Sequence, residues 1–367
     1  MRFSCNREKL LKNLHIAQRA TDPKSNIAVL RNVLFAVKPG SLDIVGFDHR
    51  MGIRTAMECS TDESEKITVP CALLLEVLSV MREETVYFSL DGYVMTVECG
   101  KSRYVLNCLS ADDFPEFPEI SNEKTFEIAR DTMEKGVRQT ILATNPDDPR
   151  AFMGGVFIKA DKESIIFVGT DGHRLAFRRF VLGESGHPVF ELIVPARTLA
   201  ELLRITAEAQ GEKVKIGLGE KSISITLDGV YIVSRLVDAK YPKYEKVIPE
   251  TQGGSCRVAR LKMTGAVRGA AIMARAKENK DMIELSITDE SLKFSASTQD
   301  VGSADEEIEI TKKGKDVRFA FNSKYILDFL GVVDDDEIVI EFTEELNPAL
   351  FHTDNPDYKY VLMPIKV

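Results

Sequence analysis

The stretch "IIFVGTDGHRLAFR" at residues 165–178 decides how the chain divides, because it occurs again as "LDIVGFDHRMGIRT" at 42–55. Both run from β-branched apolar residues into Gly, a variable residue, Asp and a His-Arg pair. A worn third copy, "LKFSASTQDVGSAD" (292–305), has neither His nor Arg. Gly46 and Gly169 lie 123 residues apart, and Gly169 and Ala296 lie 127 apart. A fixed period of this kind sets the architecture before any local reading does.

Two further landmarks keep the same order and spacing. "ITVPCALLLEVLSVM" (67–81), "LIVPARTLAELLRIT" (192–206) and "FAFNSKYILDFLGVV" (319–333) each read as a short strand leading into an amphipathic helix. Their apolar residues recur at i, i+3, i+4 and i+7, the stripe of a helix lying on a sheet. "YVLNCLS" from Tyr104, "YIVSRLV" from Tyr231 and "YVLMPIK" from Tyr360 close the three units. Each unit opens with a strand ("RFSCN", "TFEIA", "SCRVA") and a first helix at 7–19, 130–143 or 258–275. Period-2 alternation in "TVYFSLD" (85–91) and "KSISITL" (221–227) marks strands. The expected fold is α+β: three tandem domains, each with two helices on antiparallel sheets. Polar, turn-rich "SNEK" (121–124) and "TQGGS" (251–255) place the domains at 1–123, 124–253 and 254–367.

Composition agrees with this division. At 367 residues, 44% hydrophobic and 29% charged, the chain is ordered and too long for one core. No run reaches a membrane span of roughly 18 apolar residues, and charges interrupt "MRFSCNREKLL" too early for a signal peptide. A cytoplasmic protein is expected, with no membrane partner. The cysteines (5, 59, 71, 99, 108, 256) form no CxxC pair and no zinc spacing, so no metal and no cofactor are expected.

The net charge of −9 argues against nucleic acid until its distribution is considered. Residues 7–19 carry +3, residues 130–142 carry +1 and residues 257–277 carry +6, leaving the rest of the chain strongly acidic. Any one of these helices could be an ordinary solvated face. The bias recurs at equivalent places in three domains, which points to one basic surface attracting phosphates without reading sequence. No recognition-helix motif and no aromatic-rich basic patch accompany it.

With "GTDGHRLA" (169–176), "YPKYEKVIP" (241–249), "YVLMPIKV" (360–367) and "ADDFPEFP" (111–118), the whole chain resembles the bacterial β sliding clamp family, the processivity subunits of replicative DNA polymerases. The resemblance implies a head-to-tail homodimer ring of six domains, with twelve helices lining a hole for duplex DNA. Such a ring slides yet cannot leave sideways, holding a tethered polymerase at high effective concentration. DNA polymerases, the clamp loader and repair proteins would dock through a short peptide carrying Gln and apolar anchors.

The resemblance also assigns residues. One wall of the peptide cleft would be Thr170, Gly172, His173, Arg174 and Leu175, with His173 and Arg174 orienting the peptide. Met153, Pro242, Lys246 and Val247 would add to it, and Val361, Met363, Pro364 and Ile365 would supply the C-terminal side. Apolar walls with a few polar groups suit such a ligand. Arg19, Lys135, Arg138, Arg204, Arg268 and Arg275 are the candidates to face DNA. At the dimer interface Ile272 and Met273 would meet Tyr104 and Leu106 of the second copy, and Glu306 and Glu307 would face its Lys101 and Arg103.

Two rivals differ in class. A hydrolase using Asp171 and His173 would need a nucleophile elbow, a phosphate loop or a spaced carboxylate pair, and the sequence has none. Its His would also shift by one place in the first copy. A protein scaffold without DNA would account for the triplication but not for the basic helices. No catalytic residue is therefore assigned.

Overall fold

The computed structural model describes residues 1–121, 125–183, 188–250, 253–274, 281–298 and 302–366. Residues 122–124 and 251–252 of the two boundary stretches, and Arg275, lie outside them.

Six α-helices occur among the described residues: α1 (Arg7–Gln18), α2 (Cys71–Val80), α3 (Arg130–Ile141), α4 (Ala196–Thr206), α5 (Arg260–Ala274) and α6 (Ser323–Leu330). They fall two to each copy, as the landmarks require. The chain forms two compact units, Met1–Asp131 with Ala200–Leu236, and Thr132–Leu199 with Val237–Val367. This division passes through the central copy for a physical reason. Each unit owns one four-stranded sheet and one nine-stranded sheet, and each nine-stranded sheet joins strands from two copies.

In the first unit, strand Met51–Glu58 pairs antiparallel with Val230–Arg235 of the second copy, with Arg54 opposite Tyr231. In the second unit, strand Arg174–Val181 pairs antiparallel with Tyr358–Leu362 of the third copy, with Leu175 opposite Val361. The four-stranded sheets end in strands Ser102–Asn107 and Gly302–Glu309, each with one neighbour among the described residues.

Helix α1 starts where the Asn6 side chain accepts the Lys9 N–H at 3.0 Å, an N-cap that satisfies one of the helix's orphan donors. Its Leu10, Leu14 and Ala17 are buried against the sheet core that includes Phe35 and Leu42. The motif glycines make this packing possible. A Cβ on Gly46 would lie 2.0 Å from the Ala17 carbonyl oxygen, and one on Gly169 would lie 2.2 Å from that of Thr140. The helix backbone therefore rests directly on the strand in both copies. In the second unit the core is aromatic, with Phe294, Phe321, Phe329, Phe342 and Phe351 fully buried together with Tyr358 and Tyr360. All six cysteines are buried thiols, and burial pushes Cys5, Cys71 and Cys256 up to about 12.

Candidate functional site

The hairpin joining strands Ser164–Thr170 and Arg174–Val181 is built by Asp171. Its Oδ1 accepts the N–H groups of His173 at 2.9 Å and Arg174 at 3.0 Å. This is the local side-chain turn that Asp favours. Gly172 sits at φ +84°, the left-handed region such a turn needs. The Thr170 hydroxyl closes the hairpin by donating to the Arg174 carbonyl at 2.8 Å. Asp171 is thereby occupied as a turn former.

Arg174 is 7% exposed, and its guanidinium is held by several partners. Nε donates to Asp171 Oδ2 at 3.0 Å, and Nη1 donates to Asp328 Oδ2 at 2.6 Å and to the Tyr360 hydroxyl at 3.2 Å. The Tyr325 ring lies 4.1 Å from its carbon centre, a cation–π contact. Burial opposes the charge, yet Tyr360, Asp328 and Asp171 outweigh it and raise the Arg174 pKa. These contacts fasten the hairpin to α6. The His173 ring stacks over Tyr325 at 6.5 Å, and its carbonyl accepts the Met363 N–H at 2.9 Å.

Beside this anchor lies a cavity of about 310 Å³. Of the expected residues, Met153, Thr170, Gly172, Arg174, Leu175, Pro242, Val247, Val361 and Met363 line it; His173, Lys246, Pro364 and Ile365 do not. The floor is Leu175 and Val361, cross-strand neighbours that are 2% and 0% exposed. Val247 and Met363 form a more open rim, 44% and 38% exposed.

Phe152, Tyr241 and Tyr244 also line the cavity and were not expected there. Tyr241 stacks on Phe157 at 4.7 Å and donates its hydroxyl to the Val168 carbonyl at 3.2 Å. Tyr244 is 7% exposed and stacks on Phe177 at 5.9 Å. Burial, with the neighbouring Glu245 charge, pushes its hydroxyl up to about 12. For the two tyrosines the sequence did carry a signal, the aromatics three residues apart in "YPKY", a segment with no helix or strand pattern. An apolar slot with tyrosine walls and no free nucleophile can hold apolar side chains; it offers no chemistry.

The basic candidates are placed less uniformly. Arg19 Nε lies 3.6 Å from Glu201 and Arg138 3.3 Å from Asp334, while Arg204 also pairs with Glu201. Arg268 is exposed on α5, and Lys135 is half-buried on α3. At the expected interface Tyr104 is 37% and Ile272 66% exposed, whereas Met273 packs partly on its own core. Leu106 is a correction. At 2% exposure it belongs to the core of the first unit, because its strand turns that side chain inward. Val105, next to it on the strand, is exposed on the opposite face. Among the described residues no cluster of three or more His, Cys, Asp or Glu could hold a metal ion, and no helix is long and apolar enough to cross a membrane.

Comparison with known proteins covers the chain from end to end. Profiles of the DNA polymerase III beta subunit match in order: the N-terminal domain over residues 1–118, the central domain over 127–243 and the C-terminal domain over 245–366. The beta sliding clamp of Pseudomonas aeruginosa is 30% identical over 373 residues, covering all of both chains. A crystal structure of DNA polymerase III subunit beta from the same organism superposes with a TM-score of 0.92 at 29% identity, again over all of both chains. A further structure of that protein, bound to griselimycin, has the same score, identity and coverage.

Proposed function

Because the chain belongs to the DNA polymerase III beta-subunit family, we propose that it is a sliding clamp, which encircles duplex DNA and gives the replicative polymerase its processivity. It is the non-catalytic subunit of that machinery and acts in the cytoplasm. The observation that carries this function is the match of all three clamp domains, in order, along one chain. The domains run 1–123, 124–253 and 254–367.

Two copies close head to tail. Support comes from the edge strands Ser102–Asn107 and Gly302–Glu309, whose open sides could pair between copies. Lys101 and Arg103 flank or lie on the first, and Asp305, Glu306, Glu307 and Glu309 lie on the second, so the pairing joins opposite charges. Tyr104 of one copy meets Ile272 and Met273 of the other. Arg19, Lys135, Arg138, Arg204 and Arg268 face the DNA. The existing acidic partners of Arg19, Arg138 and Arg204 keep that contact weak, which suits sliding.

Polymerases, the clamp loader and repair proteins bind by placing apolar anchors of a short peptide on Leu175, Val361 and the rim residues of the cavity. Two or three anchors at about 1.5–3 kcal/mol each, less the ordering of a flexible peptide, give roughly micromolar affinity. The deciding experiment loads the protein onto nicked circular DNA with a clamp loader and then linearises the circle. A clamp is released from the free ends; retention on the linear DNA would contradict encirclement.

A further inference from the structure

A second cavity of about 770 Å³ lies on the same sheet face as the apolar cleft, and Tyr244 lines both. The alternation of the strands explains the arrangement. Leu175 and Val361 face the cleft, while Phe177, Arg179 and Lys359 on the same two strands face the second cavity. From Leu175 to Arg179 is four residues of strand, about 13 Å, so an extended chain leaving the cleft past Tyr244 reaches the second cavity with its fourth residue.

The charges there are unequal in availability. Glu341 Oε1 lies 3.2 Å from His352 Nε2. Asp161 holds a turn by accepting the N–H groups of Glu163 and Ser164, and its carboxyl is lowered chiefly by these bonds and also by Arg179. Glu245 and Glu250 stand exposed on the outer wall, where solvent screens them. Lys359 is half-buried on the floor and has no ion pair among the described residues.

We propose that this second cavity receives an acidic side chain carried on the flank of the same docking peptide, about four residues from its apolar anchor, with Lys359 and Arg179 as its partners. The inference rests on the cleft being the peptide site and adds a selectivity to it. Partners sharing one apolar motif would be ranked by whether an Asp or Glu follows at that distance.

Calorimetry on the full-length protein tests it with the pentapeptide Gln-Leu-Ser-Leu-Phe and with versions extended by a Gly/Ser flank at either end. The fourth flanking residue is Asp in one set and Lys in the other. At one of the two ends the Asp flank should bind roughly tenfold tighter than the Lys flank, the increment of one charge-assisted contact. Lys359→Glu should remove that gain and leave the affinity for the bare pentapeptide unchanged; Lys359→Gln should give an intermediate value. Equal affinities for Asp and Lys flanks at both ends would overturn the inference while leaving the cleft in place, as would tighter binding of Lys flanks. Failure of the bare pentapeptide to bind would overturn the cleft itself.

Discussion

At the junction of the first and second copies, Phe47 faces Gly52 across a hairpin whose turn is held by Asp48 Oδ1 accepting from Arg50 and Met51. At the junction of the second and third, Thr170 faces Leu175 across a hairpin held by Asp171 in the same way. Even the backbone agrees, with His49 at φ +70° where Gly172 has +84°. The junctions differ in what lies on top. A Cβ on Gly52 would come within 2.5 Å of the Phe117 ring, which also packs edge-on against Phe47 at 5.9 Å. Arg54 is held between Phe117 and Tyr231, at 5.5 and 5.1 Å from the ring centres. At the second junction the linker aromatics Tyr241 and Tyr244 form walls and leave the floor open. One scaffold thus yields a filled joint and an open cleft. The difference is where the linker aromatics sit and whether Leu or Gly forms the floor.

The largest effect should come from making the second junction resemble the first at its anchor. Arg174→Met places there the residue type found at Met51 and leaves Asp171 and Asp328 without their cation. Breaking a buried pair costs about 3–5 kcal/mol, and the value here should fall at the lower end because Asp328 is 28% exposed on its side chain. Denaturant unfolding measures the loss. A change below about 1 kcal/mol would show that this anchor is not what secures the hairpin to α6.

Opening the filled joint is the next test. Phe117→Ala removes a half-buried ring and should cost about 2 kcal/mol, less than the full value for a core Phe. It should not create a second peptide site, since Gly52 supplies no floor side chain. Calorimetry on a variant that also lacks residues 363–367 would detect any binding at the opened joint, and binding there would refute the importance given to Leu175. Removing residues 363–367 alone takes away the Met363 rim and the Met363–His173 backbone bond. Peptide affinity should fall by at least tenfold, about 1.4 kcal/mol, with the dimer unchanged by sedimentation.

What could be read from the sequence follows the same contrast. The repeat of the two motifs was legible because Gly, Asp and the His-Arg pair stand within six residues in both copies. The triplicated helices were legible because their periodicity is local as well. Arg174's part in anchoring the hairpin was hidden, since its partners Asp328 and Tyr360 lie 154 and 186 residues away. Tyr244 was passed over because a linker without periodicity reads as a turn, although the sheet face beneath makes it a wall. Leu106 was misplaced because an edge strand with both faces partly exposed gives little alternation to follow.

The smallest test concerns the turn itself. Gly172→Ala puts a Cβ on a left-handed residue, which costs about 1 kcal/mol. The new methyl would meet Arg150 Nη2 and Met153 Cε, each at 3.3 Å. Both are ends of flexible side chains, so they can yield, but Met153 lines the cleft and would move into it. A modest loss of peptide affinity should therefore accompany the loss of stability. At the filled joint the matching change runs the other way. His49→Gly relieves a left-handed side chain but adds freedom to the unfolded chain, and it forfeits the His49–Phe47 ring contact at 5.7 Å. The net should lie within about 0.5 kcal/mol of zero, with no effect on peptide binding. Thermal unfolding and calorimetry on both variants decide the matter. Equal penalties at the two turns, or a peptide effect from His49→Gly, would show that the hairpins are not independent copies of one device.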